Sequence, residues 1–562
     1  MRRTILTVLA IAGCTTGGMD VPDPTSGSDL RTTVDVSKRL EQLPQVIIDY
    51  DRSLLDERET QVLQKLIEAS KLLDEVFLIQ VSENNLELRQ ELYEKAKSSA
   101  KWRDVYDYFR IMYGPWDRLA EGEPFIAGVG SKPDGAGFYP ADITPEELDE
   151  WMRNDPAATE SVQGLFTVIE RRDGRLVALP YSERFASYLV PAAAKLREAA
   201  ALTGNASLRD YLSKRADALL TNDYYESDLA WMDLDSAIEV VIGPYEVYED
   251  NLNNFKAAFE SFVTVVDREE SQKLRRYVSH LPRMEANLPI PDEHKNPNRG
   301  AESPIKVVQE AFTAGDTRAG VQTAAFNLPN DERVREAKGS KKVMLKNVME
   351  AKYAQAGFPI AERVMSQDQI RLVGFEPFFN HVLFHELSHG LGPGIIRGPD
   401  GNRVEARLLL KDAYSPIEEC KADVLGIWNL MYAMDNDLQT DFNREELFAT
   451  YAGMMFRSMR FGLDSAHGRG NAIQWNWLRE KGAILESRGR YRVVNEAMEG
   501  AIRSLANELL MIEATGDYDR AQRLLSRYGV TTSEIESVIA RLSDLPVDIA
   551  PVYAAAGEQK TR

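Results

Sequence analysis

Residues 378–392 read FFNHVLFHELSHGLG, and this run restricts the chain more than any other segment. It is an apolar helix-like stretch that carries His385-Glu386-Leu387-Ser388-His389, an HExxH motif. Residues i and i+4 of an α-helix are offset by about 40°, so both imidazoles project from one face. Two neutral imidazoles at that spacing can hold Zn²⁺ together. Glu386 lies about 100° around from His385, where it can reach a water at the metal without being a ligand. Gly390, Gly392, Pro393 and Gly394 end the helix soon after the second histidine. The chain has only six histidines, and four of them are His381, His385, His389 and His467. Three histidines in a row cannot all serve one ion well, so His381 is expected to support the site or to pack. His280 and His294 carry no motif.

HExxH gains meaning when a third ligand follows. Ser415-Pro416-Ile417-Glu418-Glu419-Cys420-Lys421-Ala422-Asp423 reads as the start of a second helix, with Ser415 as N-cap and Pro416 at N1. Glu419 and Asp423 are i and i+4 on one face. One carboxylate can bind zinc while the other accepts from a ligand histidine's second nitrogen and fixes its tautomer. Glu419 is expected to be the ligand and Asp423 the supporting group. Glu418 reads locally as a capping glutamate at N3, and is placed with Asp423 behind the ligands. His385, His389, Glu419 and a water then leave an open fourth position, the mark of catalytic zinc. Glu386 as general base makes hydrolysis of an amide the expected reaction. His467, in Asp464-Ser465-Ala466-His467-Gly468, could stabilise the developing oxyanion. Its competing reading is a surface-loop histidine. Zinc is the expected metal, one ion per chain, with cobalt or manganese able to substitute.

The rest of the composition sets bounds. The 88 acidic residues exceed the 67 basic ones, for a net charge of −21, which argues against nucleic acid as a partner. The two cysteines exclude a disulfide framework. MRRTILTVLAIAGC opens the chain with Arg2 and Arg3, a short apolar stretch and Ile11-Ala12-Gly13-Cys14, which resembles a bacterial lipobox. The expectation is a lipoprotein signal peptide over 1–13, lipidation at Cys14 and a flexible tether over 14–34. Thr15 after Cys14 is not an aspartate retention signal, so the expected address is the cell envelope, on a periplasm-facing outer membrane. The oligomeric state is not legible.

Helical periodicity runs from 36 to about 112. Thr144, Pro145 and Glu147 carry helix-start signals, and Asp173-Gly174 marks a hairpin between GLFTVIE and RLVALPY. AIEVVIGPYEVY, SFVTVVD, GVQTAAFNL and KKVML read as strands of a mixed sheet or small barrel. After about 347 the pattern is almost wholly helical. The fold class is α+β, with an α+β lobe and a helical lobe.

Taken together these motifs resemble the dipeptidyl peptidase III family of zinc exopeptidases, whose second signature reads EECRAE or EECRAD. Here Glu418-Glu419-Cys420-Lys421-Ala422-Asp423 stands in that place, and the resemblance assigns the metal ligand to Glu419. Asn327-Leu328-Pro329-Asn330 is similar to the family's Asn-Ile-Pro-Asn segment, which implies that Asn327 and Asn330 hold the peptide. Ile242-Gly243-Pro244-Tyr245-Glu246-Val247-Tyr248 is similar to the segment that receives the substrate's amino terminus, which implies that role for Glu246 and Tyr248. His467 matches the family's later active-site histidine. The implied architecture is two lobes around a cleft. A lobe with helices and a small β-barrel takes 35–266 with 311–356 and 545–562, and a helical zinc lobe takes 267–310 with 357–544. The implied activity is release of dipeptides from the amino terminus of short peptides. The runner-up readings are a zinc oligopeptidase or other amide hydrolase, and a non-catalytic peptide-binding lipoprotein. The chain departs from the family in the regular i, i+4 spacing of its histidines, a form that the family also contains. It also departs in Asn471, where an arginine is expected, in its shorter length and in its lipobox.

Overall fold

The computed structural model describes residues 30–296, 304–398 and 401–561. Cys14, the signal segment and the first part of the expected tether lie outside the described residues. The last part of that tether is bound to the body. Thr33 N–H donates to Phe125 O at 3.1 Å and Ala127 N–H to Arg31 O at 2.7 Å, while Leu30 and Val34 pack on the core. Among the described residues no helix is long and apolar enough to cross a membrane.

Buried apolar side chains form two clusters. The first gathers residues from Val36 to Val266, some from 308–348, and Ile549 to Ala555. Helix α1 (Glu57–Val81) anchors it. Asp56 and Glu59 form a capping box at its start, and Val62, Leu63, Leu66, Ile67 and Leu73 recur at helical spacing on its buried face. Helix α2 (Ala186–Leu202) belongs to the same cluster. Thr144 caps its helix through Glu147 N–H at 3.2 Å. The hairpin Thr167–Arg172/Arg175–Pro180 turns at Asp173 and Gly174, both with positive φ, as its Asp-Gly pair requires. The chain's end returns to the first cluster, where Ala550–Tyr553 lies parallel to Gln45–Ile48.

The second cluster gathers Leu274 to Ile290 and most apolar residues from Met349 to Leu545. Four helices matter for the site: α3 (Phe375–Ser388), α4 (Tyr414–Asp435), α5 (Ala466–Glu480) and α6 (Asn495–Thr515). Short hairpins Ile395–Arg397/Arg403–Glu405 and Ile484–Ser487/Arg490–Val493 interrupt the helical pattern.

A five-stranded mixed sheet lies between the two clusters. Its strands are β1 (Ile238–Glu246), β2 (Ala258–Val266), β3 (Ile305–Gly315), β4 (Ala325–Leu328) and β5 (Lys341–Leu345). The spatial order is β1-β2-β3-β5-β4, with β5 parallel to β3 and the other pairs antiparallel. The expected small barrel does not close: among the described residues β1 and β4 remain edges with no ladder between them. Asn330, two residues beyond β4, reaches β1 through its side chain, where Nδ2 donates to Tyr245 O at 3.2 Å. β3 was absent from the expected strands, and the expected lobe boundary at 310/311 falls inside it. Its sequence IKVVQEAFTAG mixes helix formers with β-branched residues, and from Val307 onward its side chains are almost all buried, so it shows no inside–outside alternation.

Alternation along the strands decides which residues reach the helical cluster. Val307 and Met344 are paired in register and belong to the second cluster, whereas Val308, Val343 and Leu345 belong to the first. Lys342 therefore shares the face of Met344 and points at the helices. Lys341 points the other way, buried, with Nζ 2.7 Å from Trp231 O and 3.2 Å from Glu239 Oε1.

Candidate active site

Helix α3, which carries HExxH, is held by its apolar residues. Phe379, Leu383 and Phe384 are fully buried and Leu387 nearly so. Each contributes about 1.5–3 kcal/mol of burial, which offsets the cost of taking imidazoles and a carboxylate out of bulk water. The helix ends at Ser388, with His389 in its last turn, as the glycines after it led us to expect.

Helix α4 crosses α3 at close range. A Cβ on Gly426 would sit 3.1 Å from both His381 Cδ2 and the His385 nitrogen, so glycine lets the backbones approach this far without crowding. That approach sets Glu419 and Asp423 against His385. Gly470 does the same for α5, where a Cβ would meet the Cys420 nitrogen at 3.2 Å. Ser415 is not the cap of α4. A 3₁₀ turn, Lys411–Ala413, runs directly into the helix, which starts at Tyr414 with Ala413 in helical conformation. Glu418 is thereby displaced from N3 and freed from any capping role.

Three ligand atoms converge. His385 Nε2 is 3.1 Å from His389 Nε2 and 3.4 Å from Glu419 Oε2, and His389 Nε2 is 4.0 Å from Glu419 Oε2. A tetrahedral zinc site with bonds near 2.0–2.1 Å has ligand–ligand edges of about 3.3 Å, so the set fits the ion. His467 Nδ1 is also 3.2 Å from Glu419 Oε2, and His385, Glu419 and His467 form a second possible metal triad. The first triad has the better support. His389 is backed by a carboxylate, while the His467 side chain is 61% exposed. Glu419 Oε2 is buried and accepts no well-aligned hydrogen bond from the three ring nitrogens around it, so its lone pairs remain open to a cation.

Behind the ligands, each histidine's second nitrogen is fixed. His385 Nδ1 donates to Asp423 Oδ1 at 2.7 Å, and His389 Nδ1 donates to Glu418 Oε1 at 2.9 Å. Both Nε2 atoms are thus left as the free lone pairs that a metal needs. Asp423 is itself held by Gln474 Nε2 at 2.9 Å and Asn471 Nδ2 at 3.4 Å, and Glu418 by Lys421 Nζ at 2.9 Å. His381 Nε2 lies 2.9 Å from Asp423 O, so His381 braces the helix pair. Burial opposes the charged form of Asp423 and Glu418. The imidazole of His385 and the ammonium of Lys421, respectively, overcome it and hold both carboxyls well below their usual range. Among the carboxylates around the ligand atoms, Glu386 pairs with Lys342 and Glu418 with Lys421, while Glu419 and Asp423 meet imidazoles. A divalent cation would balance that excess of negative charge.

Glu386 sits in the same cavity as His385, Asp423 and His467, a space of about 200 Å³. Burial would raise its pKa, but the Lys342 ammonium prevails and the group is lowered, so it is a carboxylate. Lys342 Nζ donates to Glu386 Oε2 at 2.7 Å. No local pattern reveals this partner, because knowing that Lys342 faces the helices requires knowing the register of β5 with β3. His467 stands in the first turn of α5, with Ser465 as cap, and so is not a loop residue.

The substrate-binding candidates lie along the sheet edge. Asn327 is paired with Lys342 in register, so the two share a face. Asn330 Nδ2 is 3.2 Å from Glu246 Oε1, which joins these two candidates. Glu260 and Asp316 are buried close by; burial and their mutual repulsion with neighbouring acids push Glu260 well up and Asp316 up to about 7. That end of the cleft favours a cation. Tyr248 is 73% exposed and lies on the surface.

Comparison with known proteins places this geometry. The sequence profile described as peptidase family M49 matches residues 170–406. Nudix hydrolase 3 of Arabidopsis thaliana is 34% identical over 93% of this chain and 74% of its own length. The solved structure of DPP III from Caldithrix abyssi superposes with a TM-score of 0.86 at 52% identity, covering 92% of this chain and 98% of that one. Dipeptidyl-peptidase III from Corallococcus sp. strain EGB gives a TM-score of 0.73 at 40% identity, covering 93% and 97%.

Proposed function

The chain belongs to peptidase family M49, the dipeptidyl peptidase III family, and on that premise we propose that it is a zinc peptidase releasing dipeptides from the amino terminus of short peptides. The observation that carries the reading is the set His385, His389 and Glu419, converging beside the ionised Glu386. These three residues would hold the ion. When bound, zinc supplies a Lewis acid for the substrate carbonyl and a lowered pKa for water. Glu386, held through Oε2 by Lys342, keeps Oε1 for the attacking water. It takes that water's proton as oxygen adds to the carbonyl carbon, and delivers it to the nitrogen as the carbon–nitrogen bond breaks. His467 faces the same cavity and is assigned to the oxygen that gains negative charge.

Strand β4 and the segment after it link the amine site to the base. Glu386 touches Lys342, Lys342 pairs with Asn327, and Asn330 holds Glu246. A peptide whose ammonium rests at Glu246 would run along this edge toward the base.

Replacing Glu419 tests the metal assignment. In Glu419→Ala, zinc affinity measured by chelator competition is expected to fall more than about 100-fold, beyond the roughly 10–100-fold loss typical of supporting residues. Unchanged affinity would remove Glu419 from the ligand set.

We further propose that this is a short, lipid-anchored bacterial member of the family, attached through Cys14. The support is the sequence Ile11-Ala12-Gly13-Cys14 after an Arg-Arg start, and the apolar stretch between them. Growth with labelled fatty acid is expected to mark the wild-type chain, and equal label on Cys14→Ser would sink the anchor.

A further inference from the structure

A second cavity, of about 470 Å³, adjoins the catalytic one, and the two share Ala324, Phe378, Val382 and Arg457 as walls. Its lining is mainly apolar, with Leu119, Val321, Met349, Tyr353 and Phe461. Val321 and Phe461 are more than half exposed, so the groove is open to solvent. A π-helical turn, Tyr353–Gly357, forms part of the wall, an irregularity that recurs at functional sites.

Four cations border the groove, and three are committed. Arg118 pairs with Glu249 at 3.0 Å, and Lys352 with Asp548 at 3.0 Å. Arg460 donates to the carbonyl oxygens of Leu545 and Pro546, both at 2.9 Å. Arg457 alone has no hydrogen-bond or ion-pair partner among the described residues; its guanidinium lies over the Phe378 ring, 5.6 Å from the centroid. It is exposed to water, yet sits where the two cavities join.

Strand β4 orients the groove relative to the reaction. Asn330, beyond its far end, holds Glu246; Asn327 faces the Lys342–Glu386 pair; Ala325 lines the catalytic cavity; Val321 and Ala324, before its start, line the groove. A peptide with its amino terminus at Glu246 therefore continues past the cut bond into this groove.

We propose that the groove receives the leaving half of the substrate, with an apolar side chain against Val321 and Phe461 and the peptide's terminal carboxylate on Arg457. This rests on the dipeptidyl reading above, and it defines the substrates as short peptides with a free carboxyl end close behind an apolar residue. The guanidinium is the one cation there able to make a bidentate contact without losing another.

The test uses zinc-loaded enzyme and a tetrapeptide ending in two leucines, with its second peptide bond reduced to a secondary amine so that it is not cut. Calorimetry compares its free acid with its terminal amide. The wild type is expected to bind the acid about tenfold more tightly, as a charge-assisted contact provides. In Arg457→Gln the two should agree within about twofold. Equal binding of acid and amide by the wild type overturns the proposal without any variant, as does a tenfold preference that survives in Arg457→Gln. Acetylating the tetrapeptide's amino terminus reports separately on the dipeptidyl reading. If acetylation costs nothing, that reading fails, while the acid–amide ratio still reports on Arg457.

Discussion

Glu386→Ala is expected to lower kcat by about 10²–10⁴, the range typical of a lost general acid–base group, while each chain keeps its zinc. The separation follows from the geometry. The ligand nitrogens are fixed by Asp423 and Glu418, and neither contact passes through Glu386. The Glu386 carboxylate instead faces the cavity and Lys342. Removing it takes away the proton carrier but none of the groups that set imidazole tautomers. Lys342 keeps a neighbour, the main-chain oxygen of residue 386, at 3.4 Å, so the sheet edge need not move. KM should change little, because the amine site at Glu246 and the strand edge at Asn327 are untouched. Single-turnover rates with metal analysis on the same sample check both halves. Undiminished turnover would remove Glu386 from the mechanism, and loss of zinc would show that it supports the metal instead.

The arrangement of the candidate site was legible because it is written in helical spacing. His385 and His389 share a face, and so do Glu419 and Asp423; the structure brings those faces together at 2.7–4.0 Å. The roles assigned to Asp423 and Glu418 follow the same logic, although Glu418 reached its place by another route. The local cap signal at Ser415 lost to a 3₁₀ turn that carries helical backbone geometry into α4 from upstream. What the sequence could not disclose depends on pairing between distant segments. Lys342 reads as one of two adjacent lysines in a strand, and only the register with Val307 and Asn327 tells which one meets Glu386. Arg457 gains meaning only from the partners that three other cations have and it lacks. β3, buried on both faces, offers no alternation to read. The barrel expectation failed on closure, a property of the whole sheet that no single strand encodes.

The amino terminus of the substrate carries the other large effect. Glu246 is held by Asn330 beside the buried Glu260 and Asp316, an arrangement that favours an ammonium group and offers an acetyl amide no compensation for the lost charge. Loss of a charge-assisted contact costs about 1.5–3 kcal/mol, which is on the order of a 10- to 150-fold loss in kcat/KM. The most direct measurement is therefore a product map of one octapeptide, free and acetylated, with the zinc-loaded enzyme. The free peptide is expected to yield its first two residues as the earliest product, with the acetylated form cut at least about tenfold more slowly. Equal cleavage of the two forms, or first cuts at internal bonds, would contradict an enzyme that counts from the amino terminus.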